Sequence, residues 1–145
     1  MSAVIFHNPD CGTSRNVLAL LEATGHAPQV IPYLETGWTR PLLLTLLAAA
    51  DLTPREALRV SRSPAEELGL TAEGASDDEI LDAMLTHPIL VNRPFVATAR
   101  GVALCRPSEA VIPLLDAVPT ERVLKEDGTI LYDPALHDPA GTGGA

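Results

Sequence analysis

Residues 3–34 read as strand, turn, helix, strand, and that order constrains the rest of the chain. Ala3–Phe6 is a short apolar run ending in Val4, Ile5 and Phe6, the pattern of a buried strand. From Ser14 to Thr24, Val17, Leu18 and Leu21 recur on one face at helical spacing, and Gly25 stops the run. Gln29–Leu34 reads as a second strand, with Pro32 marking an edge or an end. A strand, a crossover helix and a second strand make a βαβ unit, so a sheet with parallel strands begins here.

The link between the first strand and the helix is His7-Asn8-Pro9-Asp10-Cys11-Gly12-Thr13, which places Cys11 just before a helix N-terminus. Unsatisfied backbone N–H groups and the helix dipole favour negative charge there. A thiol in that field loses its proton more easily, and the thiolate is the nucleophile. The same field suits an incoming oxyanion. Cys105 sits in the apolar run Val102-Ala103-Leu104-Cys105 and reads as a packing residue.

Beyond residue 34 the pattern turns helical. Thr39 is an N-cap with Pro41 in the first turn, and Leu42, Leu43, Leu46 and Leu47 form the apolar face. A short helix is expected over Asp51–Leu58, capped by Thr53 with Pro54 at N1, and another begins at Ser63-Pro64. Ser76-Asp77-Asp78-Glu79 is a capping box opening a helix faced by Ile80, Leu81, Met84 and Leu85. Phe95–Thr98 and Val102–Leu104 read as a hairpin joined by Ala99-Arg100-Gly101, and Ser108–Val118 as a last helix. A four-stranded mixed sheet with helices packed on it accommodates this order, with residues 39–86 as a helical insertion. The domain is then residues 1–132, and the Pro- and Gly-rich stretch 133–145 is expected to be a flexible tail.

Composition narrows the partners. The formal net charge of −9 disfavours nucleic acid and anionic membrane surfaces. No apolar run approaches the ~20 residues that span a bilayer, and Met1–Phe6 is too short for a signal peptide. Two distant cysteines are no disulfide framework, so a reducing cytoplasm is the expected compartment. His7, His26, His87 and His137 show no ligand spacing with carboxylates or cysteines, so no metal is expected. In so acidic a chain an anion site must be built by a local cluster of cations. Arg93 and Arg106 flank apolar segments, where a charge needs a partner. Arginine presents a planar fork of donors suited to tetrahedral oxyanions.

The segment His7–Asn16 resembles the active-site signature of the glutathione- and glutaredoxin-coupled arsenate reductases. His87-Pro88-Ile89-Leu90-Val91-Asn92-Arg93-Pro94 is similar to that family's second signature, and Gly101–Glu109 to its third. The likeness runs from residue 3 to about 132. It implies an α/β, thioredoxin/glutaredoxin-like fold: a four-stranded mixed sheet with a helical insertion. It also implies Cys11 as the nucleophile, with His7 and Ser14 completing the catalytic set by helping to hold the thiolate. Arg59, Arg93 and Arg106 match the three arginines around the oxyanion, although Arg55 and Arg62 lie close to Arg59. Pro94 matches a structural cis-proline. An imidazolium at His7 would favour the thiolate, and the Ser14 hydroxyl is a candidate donor to the sulfur.

Ser14 stands where a dithiol enzyme of this fold would carry its second cysteine. Cys11 therefore has no local resolving thiol and must borrow electrons. The resemblance implies arsenate as substrate, no bound cofactor, glutathione as co-substrate and glutaredoxin as protein partner. The alternatives are a related glutathione-dependent thiol oxidoreductase of unknown substrate, or a non-enzymatic redox-sensing regulator of the same fold.

Overall fold

The structure, a computed structural model, describes residues 2–136. The expected tail lies outside the described residues from position 137 onward, as does His137.

β1 (Ala3–Phe6) is the hub of a four-stranded sheet with order β2-β1-β3-β4. It runs parallel to β2 (Gln29–Ile31), with Val4 opposite Gln29 and Phe6 opposite Ile31. It runs antiparallel to β3 (Phe95–Thr98), which pairs antiparallel with β4 (Gly101–Leu104). The parallel pair is the βαβ unit, with α1 (Gly12–Ala23) as its crossover. The sheet is mixed, as expected.

Because successive side chains on a strand point to opposite faces, β1 feeds two cores. Ala3 and Ile5 pack with Val17, Leu20 and Leu21 of α1 and with Val111 and Leu114. Phe6 packs on the other face with Tyr33, Trp38, Leu43, Leu47, Leu90 and Phe95. The second core is built by the chain between β2 and β3. There α3 (Arg40–Ala49) is capped by Thr39, whose hydroxyl accepts from Leu42 N, and it buries Leu43, Leu46 and Leu47. Leu42 stays at the surface. α4 (Asp77–Thr86) opens on the Ser76–Glu79 box and buries Ile80, Leu81 and Met84.

Several expected elements change form. β2 stops at Ile31, and Tyr33–Thr36 is a one-turn helix, α2, whose Glu35 and Thr36 N–H groups bond the Pro32 carbonyl. The turn tucks Tyr33 under Trp38, ring centroids 5.1 Å apart. α1 begins two residues before Ser14, with Cys11 as its N-cap. The expected helices over 51–58 and from Ser63 are successions of turns. Thr53 and Glu56 do form a reciprocal cap, but the chain then leaves the turn for a bridge from Leu58 to Val91. Arg59 N donates to Leu90 O at 2.8 Å and Asn92 N to Ala57 O at 2.8 Å, so tertiary pairing overrides the local helix signal. The last helix is a 3-10 helix over Ser108–Leu114; Pro113 inside it has no N–H to extend an α ladder. Gly101 belongs to β4 and takes φ 145°, a conformation that strains other residues.

The sequence reading missed a hairpin. β5 (Val123–Leu124) and β6 (Ile130–Tyr132) pair antiparallel around a loop containing Asp127-Gly128, with Gly128 at φ 88°. Asp-Gly between apolar runs is the signal that could have found it.

Candidate active site

The carboxyl end of β1 delivers residues 7–11 to the start of α1. Cys11 N donates to Asn8 O at 3.1 Å, and the side-chain carbonyl of Asn8 accepts from Asp10 N at 2.9 Å. These two bonds close the Asn8–Cys11 turn that points the thiol at the helix start. Cys11 is 6% exposed.

Three arginines from three separate segments are electrostatically coupled to this thiol. Arg106, just after β4, places Nη1 3.7 Å from Cys11 Sγ and donates to the Arg93 carbonyl at 3.2 Å. Arg93, just before β3, donates from Nη1 to Asn92 Oδ1 at 3.1 Å, while its Nε is buried without a hydrogen bond. Arg59, on the Leu58–Val91 bridge, is 7% exposed, and its Nε donates to Ser61 O at 2.9 Å. Burial first, then repulsion from Arg93, lowers the Arg59 pKa, and Cys11 and Arg106 also act on it. Among the described residues none of the three arginines forms an ion pair with a carboxylate. Arg55 is instead tied to the carbonyls of Ala72 and Ala75. Arg62 is exposed, in a left-handed conformation at φ 54°. Arg59 is therefore the one of the three neighbours that faces the thiol electrostatically.

The Cys11 pKa lies below the ordinary thiol value. Burial alone would raise it; the Ser14 backbone N–H, the Arg93 charge and the Arg106 guanidinium together outweigh burial. The Ser14 amide acts on the sulfur without completing a capping hydrogen bond. Cys105 behaves oppositely: it is fully buried, and burial pushes its thiol up to about 12.

His7 and Ser14 work differently from the sequence expectation. The Ser14 hydroxyl is not a donor to sulfur. It shares a 2.7 Å hydrogen bond with His7 Nδ1 and accepts from Asn8 N at 3.1 Å, so it braces the loop, while its backbone N–H acts on the thiolate. Burial first, then Arg15, lowers the His7 pKa, which opposes an imidazolium at neutral pH. The positive charge beside the sulfur comes from the arginines.

Pro94 follows a cis Arg93–Pro94 bond, and Arg106–Pro107 is a second cis bond that the sequence reading did not anticipate. Pro94 O accepts from Cys105 N at 2.8 Å, which ties the two arginine-bearing segments together. Tyr33 was also missed. Its buried hydroxyl has no hydrogen bond of good geometry, and Asn8, Arg93, Arg59 and Cys11 all lie close enough to act on its ionisation. Its position inside the expected strand Gln29–Leu34 concealed it. Arg15 grips Glu126 of the hairpin loop through Nε and Nη2 at 2.8 and 2.9 Å, and it donates from Nη1 to Pro9 O at 2.6 Å. No local signal links residues so distant in sequence.

A nucleophilic thiol at a helix start, ringed by unpaired guanidinium groups on a thioredoxin-like sheet, defines a thiol enzyme that handles an oxyanion. The model of the ArsC family matches residues 6–113. An arsenate reductase of Synechocystis sp. is 62% identical over 130 residues, covering 90% of this chain and 93% of that protein. The arsenate reductase of Escherichia coli K12 is 47% identical over 131 residues, covering 90% and 93%. The solved arsenate reductase of Vibrio cholerae superposes with a TM-score of 0.75 at 42% identity, covering 79% of this chain and 98% of that one. The chain belongs to the ArsC family.

Proposed function

We infer that this protein is an arsenate reductase, taking electrons from glutathione and glutaredoxin through a Cys11–arsenic adduct. The observation that carries this reading is the set of guanidinium groups at Arg59, Arg93 and Arg106. They gather at one activated thiol without carboxylate partners among the described residues, and Arg93 Nε is buried with no acceptor there. Such an arrangement is costly unless an anion completes it. The ArsC membership and the names of the relatives identify arsenate as that anion.

The chemistry proceeds in balanced steps. The Cys11 thiolate attacks arsenic, an S–As bond forms, and one arsenate oxygen leaves as water; arsenic stays As(V). The arginines neutralise the remaining oxygens, and the Ser14 amide and Arg106 hold the sulfur. Glutathione then displaces a second oxygen as water, giving an arsenic bound to two sulfurs. The glutaredoxin thiolate attacks the glutathione sulfur; the S–As electron pair passes to arsenic, producing As(III) and a glutaredoxin–glutathione disulfide. Hydrolysis of the remaining S–As bond releases arsenite and restores Cys11. His7 and Ser14 are positioning residues for the loop. No bound cofactor or metal enters these steps, and the free thiol they require suits a reducing cytoplasm.

The test is arsenite production from arsenate with glutathione and glutaredoxin. Cys11→Ser should abolish it. Turnover by that variant, or none by the wild type with both donors present, refutes the reading.

A further inference from the structure

A cleft of about 320 Å³ lies between the start of α1, Pro107 and the β5–β6 loop, and none of the steps above assigns it a role. Gly12, Thr13 and Asn16 form one wall, and Lys125 and Asp127 the other. It adjoins the reacting thiol. Gly12 is bonded to Cys11, and Pro107 follows Arg106, whose guanidinium lies 3.7 Å from the sulfur.

The cleft carries charges of both signs with bonding capacity to spare. Lys125 gives one of its three donors to Glu109 at 2.9 Å. The Asn16 carbonyl accepts from Glu126 N at 3.0 Å, which leaves the amide NH₂ as a donor. The Gly12 and Thr13 amides, in the first turn of α1, have no carbonyl within the helix to bond. These groups suit carboxylates. Asp127 receives both Thr129 bonds on Oδ1, at 2.9 and 2.6 Å, so its second oxygen remains to accept from an ammonium. Glu126 is neutralised by Arg15. A simple anion would meet Asp127 on the wall; a small zwitterion with separated charges would not be opposed. The volume is at the small end of ligand sites, about 300–1000 Å³, and suits a short peptide.

We propose that this cleft, beside Cys11 and between α1 and the β5–β6 loop, binds glutathione with its sulfur toward the Cys11-bound arsenic. The proposal rests on the function inferred above. Its carboxylates meet Lys125, Asn16 and the α1 amides, and its ammonium meets Asp127. From there the glutathione sulfur forms its bond to arsenic while an As–O bond breaks. The oxygen leaves as water with the thiol proton, and no electrons are transferred until glutaredoxin arrives.

The experiment maps S-methylglutathione, which cannot react, on the wild-type protein by amide chemical shifts. It is paired with kinetics of Lys125→Glu. Shifts centred on Gly12, Thr13, Asn16 and Asp127, and a glutathione KM raised at least tenfold with the glutaredoxin KM within twofold, support the site. Shifts centred elsewhere overturn it, as does an unchanged glutathione KM or a raised glutaredoxin KM. If Lys125→Glu does not fold, the wild-type map decides alone. Arsenate protection of Cys11 from alkylation tests the parent reading separately: shifts at the cleft without that protection would keep the thiol-peptide site and reject arsenate.

Discussion

Arg93→Met separates a role in binding oxyanion from a role in holding the fold. In the free protein Arg93 contributes little that the fold needs: one side-chain bond to Asn92 Oδ1 at 3.1 Å and a buried Nε with no partner. Its carbonyl, which holds Arg106 at 3.2 Å, survives the substitution. Its charge also opposes the buried Arg59. Methionine fills a similar elongated volume without that repulsion, so Tm should hold or rise. Catalysis should suffer in two separable ways. A lost charged hydrogen bond to the oxyanion is worth about 2–3 kcal/mol, which is ~30- to ~160-fold in kcat/KM. The Arg93 charge also helps lower the Cys11 pKa, so the variant's alkylation profile should move to higher pH. Raising the pH should then recover the part of the deficit due to thiolate fraction and leave the oxyanion part. The assay is kcat/KM for arsenate from pH 6 to 9 beside iodoacetamide rates and thermal melts. A variant with unchanged kcat/KM, or one that simply unfolds, would refute the assignment.

Three further outcomes follow from the contrast between the thiols and from Ser14. Below pH 7, iodoacetamide should modify Cys11 and spare Cys105; equal labelling with one pH dependence would contradict the two environments. Because Cys105 is shifted from 9.0 to about 12, the unfolded chain releases its proton first as pH rises. Stability present below pH 9 should therefore fall by about 1.4 kcal/mol per pH unit between pH 9 and about pH 12, and urea titrations of Cys105→Ala should lack that loss. Cys105→Ala should also leave turnover with glutathione and glutaredoxin nearly unchanged; lost activity, with thioredoxin alone supporting the wild type, would indicate an internal dithiol route.

The sheet was legible because its strands are short, apolar and bounded by turn residues. Ala3–Phe6 and Phe95–Thr98 fall where periodicity puts them. The caps at Thr39 and Ser76 were legible because the bonds that define them are local. Thr53 and Ser63 carry the same local signals, yet their segments never become helices. Ala57, Leu58 and Arg59 are drawn into pairing with Leu90, Val91 and Asn92. The Ser63 hydroxyl accepts from Ala65 N at 3.2 Å as a cap would, but it also bonds back to the carbonyls of Arg59 and Val60, and the chain there stays a succession of turns. That conflict serves the site: the bridge ties the Arg59 backbone to Leu90, three residues before Arg93, and Arg59 is electrostatically coupled to both Arg93 and Cys11.

For the site, Cys11 and the arginines were visible as residue types in informative places, but the way they act was not. The electrostatics depend on who occupies each donor. Ser14 looked like a hydroxyl aimed at sulfur; His7 and Asn8 N claim that hydroxyl, and only the backbone amide is left to act on the thiolate. His7 looked like a cation, and burial opposes that charge. Arg15 has the charge and proximity to act on Cys11, yet Glu126 grips it from 111 residues away. Among the described residues this leaves Arg59, Arg93 and Arg106 as the positive charges near the thiol that no carboxylate answers. A chain of net charge −9 keeps its carboxylates off these three groups while pairing Arg15, Arg40, Arg100 and Arg122 with acids. That selective pairing, and not the count of basic residues, is what makes one end of the sheet an anion site.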